Sequence, residues 1–160
     1  MLVSSRHTLL YHALLLVHIL GALTFFAGVV LAGLVLARAR HATMASEVAS
    51  ILSLARIGVL LVAIGALVAG AFGLLLVWVG HYGFGSGWVV AAIVTYVGVV
   101  VLGGLGGAIP KRARLLATEL GPVEVSQQLR DLLWDTRSRL YNDVAFVLML
   151  VLIYLMVFKP

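Results

Sequence analysis

The stretch LLYHALLLVHILGALTFFAGVVLAGLVL, residues 9–36, decides the fold. It runs 28 residues without Asp, Glu, Lys or Arg. The hydrocarbon core of a bilayer is crossed by about 20 apolar residues. A signal-peptide core runs only about 7–15 residues, and three more apolar runs follow this one. The stretch is therefore expected to be a retained membrane helix, and lipid becomes the solvent for the rest of the chain.

Composition agrees. Of 160 residues, 63% are hydrophobic and 11% charged, against about 45–50% and about 25% in soluble domains. With no cysteine, disulfides, thiolate zinc sites and iron–sulfur clusters are excluded. The formal net charge is +5. Its basic residues flank apolar runs, so they read as topology signals and lipid-headgroup contacts, and nucleic acid is not an expected partner.

Hydropathy predicts an all-α, four-helix transmembrane bundle forming a single integral membrane domain over 1–160. The expected spans are 9–36, 57–79, 88–109 and 140–158. Ser4 or Ser5 is placed to cap the first helix. Residues 42–56 form an amphipathic lead-in to span 2. In that span Gly58 and Gly65, and separately Ala66, Gly73 and Gly80, repeat every seven residues. Gly103 and Gly107 make a GxxxG pair in span 3. Tight helix contact around spans 2 and 3 through glycine is expected, because small residues let backbones approach. Pro110 is expected to close span 3. Gly121-Pro122 divides the polar connection 110–139, with Pro122 as a first helical position and Asp135–Arg139 as an i,i+4 pair. The helix after it is expected to run straight into span 4. Arg38, Arg40 and Arg56 surround the first basic connection. Lys111, Arg112, Arg114, Arg130, Arg137 and Arg139 occupy the second. The positive-inside rule puts both in the cytoplasm, with N-out and C-out termini, a cytoplasmic helical extension and an inner (plasma) membrane location.

Few residues can carry chemistry. His18 lies well inside span 1, about 14 Å below its outer end at about 1.5 Å per residue. An ionisable side chain at that depth is a functional candidate, and imidazole is a frequent haem or metal ligand. Its alternative role is a hydrogen bond to a neighbouring helix. His7, Tyr11 and His18 share one helical face. His7, His12 and His81 belong to the outer interface and are expected to be headgroup-level polar residues rather than a metal site. Arg56 and Asp143, just inside the basic boundary on spans 2 and 4, are expected to form a structural ion pair with Asn142 nearby. The chain lacks Walker, GxSxG and HExxH motifs.

The run from His18 through Thr24-Phe25-Phe26-Ala27 to Gly28 resembles the first helix of a loose group of small membrane proteins. The group includes the haem-binding protoporphyrinogen oxidase family and the copper-resistance D-type family. The whole pattern is most similar to an uncharacterised four-helix family of integral membrane proteins. The oxidase resemblance implies haem b with His18 as axial ligand. That family has Trp where this chain has Phe25, and pairs its His with a Lys on a later helix. Here Lys111 and Lys159 both flank spans, so the oxidase activity is not implied. The leading expectation is a non-enzymatic subunit or scaffold of a membrane complex, a redox complex among the candidates, partnered by other membrane subunits or by itself. The alternative is a haem b-binding redox protein.

Overall fold

The computed structural model describes the backbone of residues 2–159 and the side chains of residues 8–159. It is all-α. The helices are α1 (Leu2–Ala39), α2 (Ala45–Val79), α3 (Gly87–Leu120), α4 (Gln127–Leu133) and α5 (Thr136–Phe158). Four segments are long and apolar enough to cross a membrane: Thr8–Ala39, Ala45–Val79, Gly87–Leu120 and Gln127–Phe158, the last crossing both α4 and α5. α1 already runs from Leu2, so Ser4 and Ser5 sit inside it rather than at its cap.

The bundle is built from two hairpins. In the first, α1 and α2 touch backbone to backbone. A Cβ on Gly21 would fall 2.7 Å from the Ala69 amide nitrogen, and one on Gly28 would fall 2.6 Å from that of Val62. A Cβ on Gly65 would collide with the backbone of Phe25. Gly21 and Gly28 on α1, and Gly58 and Gly65 on α2, are each seven apart. At these four positions, two turns apart on each helix, backbone meets backbone. The second hairpin pairs α3 with α5. Here the glycine expectation needs correcting. Gly103, Gly104 and Gly107 have nothing within 4 Å of a would-be Cβ, and Gly98 and Gly106 meet α5 only through side chains, Leu148 and Asn142. The glycines of span 2 thus make close contacts as expected, to the α1 backbone, whereas the GxxxG pair of span 3 makes none.

α3 also runs on past its expected end, because Pro110 lies inside it. A proline cannot donate to the carbonyl four residues back, which leaves the Gly106 oxygen without its helical partner. The Ser138 hydroxyl from α5 donates to that oxygen at 2.7 Å and is buried there. Serine commonly fills this vacancy in membrane helices. The helix therefore continues to Leu120 and stops at Gly121, whose φ of 72° suits glycine.

The extension carries Ala113 and Ala117 to the basic end of the bundle. There they join Val35, Ala39, Ala45, Val48, Leu52, Leu129 and Leu133 in the most deeply buried cluster among the described residues. An antiparallel bridge, Met44 to Glu124, ties the two basic connections together, with Ala45 N–H donating to Val123 at 2.8 Å and Val125 N–H to Thr43 at 3.0 Å. α4 starts at Gln127, capped by the Ser126 hydroxyl, not at Pro122. It does not run straight into the last span either. It ends at Trp134, and Asp135 caps α5 by accepting from the Ser138 N–H at 2.7 Å. Asp135 is thus a cap, not half of a pair with Arg139.

Gly65→Val should force α1 and α2 apart and lower stability by about 1–3 kcal/mol, the usual cost of overpacking. Gly33→Ala, on an α1 position with nothing within 4 Å, should change it by less than about 0.5 kcal/mol. Thermal unfolding in mild detergent, compared between the two variants, checks both.

Candidate functional site

His18 is buried on α1 and faces α2. Its Nδ1 lies 2.8 Å from the Ala69 carbonyl oxygen. A carbonyl only accepts, so Nδ1 carries the donated proton and Nε2 remains as the ring's second nitrogen. The ring fits because residue 73 is glycine: a Cβ there would approach His18 Cε1 to 3.1 Å and Nδ1 to 3.3 Å. One turn away, the Tyr96 hydroxyl of α3 donates to the Ala66 carbonyl at 2.7 Å, and a Cβ on Gly70 would fall 2.6 Å from that hydroxyl.

A single rule covers both bonds and the one at Ser138. Side chains on a helix lean toward its N-terminus, so the Cβ of residue i+4 shields the carbonyl of residue i. Gly70 uncovers Ala66, Gly73 uncovers Ala69, and Pro110 leaves Gly106 without a donor. Each uncovered oxygen takes one side-chain donor from another helix. Sequence reasoning noted His18 but missed its acceptor, and it missed Ser138 altogether. The readable signal was a Gly or Pro four residues after a carbonyl inside a span.

The other candidate residues lie apart from His18. Tyr11 meets Tyr82 with hydroxyls 3.1 Å apart, and Lys159 donates to Tyr82 at 3.0 Å. Those two bonds, Tyr11 first, hold the Tyr82 hydroxyl below its usual pKa. The Lys159 ammonium also sits 4.5 Å over the Tyr82 ring and 5.9 Å from that of Trp88. This cluster ties the start of α1, the α2–α3 turn and the end of α5. His12 contacts Tyr11 edge-on. His81 lies in the turn, beside a cavity of about 260 Å³ with Trp78 and Phe84. The His7 side chain lies outside the described residues.

Asp143 does not pair with Arg56. Its partner is Arg139, one turn earlier on α5, at 3.7 Å and largely exposed. Asn142 packs against Gly106 instead. At the same end, Arg40 Nε donates to the Leu133 carbonyl at 2.9 Å, and the guanidinium lies 5.3 Å over Trp134. Arg40, Trp134, Thr136, Arg139, Leu140 and Asp143 line a cavity of about 330 Å³. His18 lines neither this cavity nor the one beside His81.

These features define the class: an all-helical protein with four membrane-crossing segments. No family model, curated protein or solved structure matches the chain.

Ser138→Ala should cost about 1–3 kcal/mol by orphaning the buried Gly106 oxygen. In a Pro110→Ala background the helix supplies its own N–H, and the same substitution should cost less than about 0.5 kcal/mol. A double-mutant cycle on detergent-solubilised protein reads the coupling.

Proposed function

We propose that the chain is a non-enzymatic membrane subunit or scaffold that works by assembling with other membrane proteins or with itself. The observation that carries this reading is how the interior polar side chains are used. His18, Tyr96 and Ser138 each donate to a carbonyl of a neighbouring helix. They hold the bundle together rather than converging on a shared space. Recognition then falls to the outer surface. There Gly103, Gly104 and Gly107 form an open small-residue row on α3, beside exposed Val100, Val101 and Leu105. Such a row admits a second helix at close range. In this reading the basic connections face the cytoplasm, both termini lie outside, and the membrane is the inner (plasma) membrane, as the positive-inside rule directs.

A second reading keeps haem b, with His18 as axial ligand. The observation that favours it is the Nδ1 bond to Ala69, since axial and metal-bound histidines commonly donate their other ring nitrogen to a carbonyl. It would also require a porphyrin-sized space at Nε2.

Two measurements separate these readings. Gly104→Leu should abolish a cross-linked or co-migrating complex in native membranes while leaving the thermal midpoint of the isolated chain unchanged. A chain that stays monomeric in its native membrane would overturn the subunit reading. An absorption spectrum of protein expressed with ample haem, oxidised and reduced, should show no Soret band. A band that vanishes in His18→Ala would establish the haem reading instead.

A further inference from the structure

The pocket at the basic end joins parts of the chain that are far apart in sequence. Arg40 follows α1, Trp134 ends α4, and Thr136, Arg139, Leu140 and Asp143 open α5. We propose that it binds the phosphodiester of an anionic phospholipid headgroup, with Arg40 and Arg139 as phosphate ligands and Thr136 as a hydroxyl donor.

The chemistry is that of phosphate. Arg40 is held in place twice, by its Nε bond to Leu133 and by its stacking on Trp134. A guanidinium has five N–H donors. Among the described residues only Nε is used, so four remain on a group whose orientation is already fixed. Such preorganised forks match phosphate oxygens. Arg139 brings a second cation near the first. Burial, then the Arg139 charge, pull the Arg40 pKa down, with Asp143 opposing. Two cations against one carboxylate leave the pocket with one net positive charge, which a phosphodiester neutralises. Asp143 then stands as an acceptor for headgroup hydroxyls, as a glycerol headgroup would offer.

Position favours lipid over a soluble phosphate. Arg40 comes one residue after the apolar segment Thr8–Ala39, at the level where headgroups lie. Trp134 is half exposed there, as interfacial tryptophans are. From Leu140 at the rim, an exposed apolar stripe runs down α5 through Val144, Val147, Val151 and Tyr154. Acyl chains leaving a headgroup in this pocket would lie along that stripe.

The test uses the full chain in mild detergent, delipidated and then supplied with phosphatidylglycerol or phosphatidylcholine. Native mass spectrometry and thermal unfolding are the readouts. One phosphatidylglycerol should be retained per chain and should raise the midpoint, in preference to phosphatidylcholine. Arg139→Gln, at a largely exposed position, should weaken retention roughly tenfold. Arg40→Lys keeps the charge but loses the fork, and should weaken it as well. The double variant Lys111→Gln/Arg112→Gln removes two charges from elsewhere on the basic connections and should retain lipid as the parent does. Equal retention in Arg139→Gln overturns the proposal. So does an equal loss in the Lys111/Arg112 variant, which would mean diffuse attraction. Stabilisation by millimolar inorganic phosphate, with no preference for phosphatidylglycerol, would assign the pocket to soluble phosphate compounds and overturn the lipid assignment.

Discussion

The fold turns on one hydrogen bond, from the Ser138 hydroxyl to the Gly106 carbonyl. Buried between α3 and α5, an orphaned backbone oxygen has no water to satisfy it. Pro110 creates such an orphan in the middle of α3, and α5 supplies the donor. With that oxygen satisfied, α3 passes through the proline and reaches Leu120. Without the extension, Ala113 and Ala117 would not reach α1 and α2, and the basic-end core would lose one of its walls. Gly106 contributes a second time: its missing side chain leaves the space that Asn142 fills. A residue that would break an isolated helix thus becomes a contact between two helices.

The two halves of the molecule are held together by different forces. Among the spans, apolar side chains gain little by leaving lipid for one another, so association rests on close backbone approach and on bonds to exposed carbonyls. The glycines of α1 and α2 and the His18 and Tyr96 bonds are of this kind. At the basic end the hydrophobic effect operates. Alanine, valine and leucine from α1, α2, α3 and α4 reach complete or near-complete burial there, whereas the spans expose large apolar side chains along most of their length. That core also positions the arginine pocket, since Leu133 belongs to the cluster and its carbonyl anchors Arg40.

How much of this could be read from sequence depended on the range of the interaction. Hydropathy alone was enough for the four crossing segments, because lipid exposure is a local property of each run. Pro110 misled, since a proline stops a helix when nothing fills the vacancy, and its filler lies 28 residues downstream. The Gly103/Gly107 motif marked a small-residue surface without saying what covers it, while the pairs that make contact, Gly21 with Gly28 and Gly58 with Gly65, use a seven-residue interval. Asp143 was assigned a distant partner because Arg56 shares its depth. Arg139, four residues away on the same helix, needs no tertiary coincidence to reach it. The Arg40 pocket was invisible in sequence because its two arginines lie on different connections.

His18 illustrates the same point for function. Its depth in the first span marked it as a candidate, and depth alone does not distinguish a ligand from a strut. The comparison that bears on this is internal. Tyr96 and Ser138 have no expected coordinating role, yet each makes the same kind of bond as His18, to a carbonyl uncovered by glycine or freed by proline. One geometric rule therefore accounts for all three side chains, and the His18–Ala69 bond needs no cofactor to explain it. Gly73 strengthens the argument, since it opens space for the ring on the acceptor's own helix. An axial ligand would instead require space on the far side of the ring, at Nε2. The helix-packing role is thus the more economical account of His18.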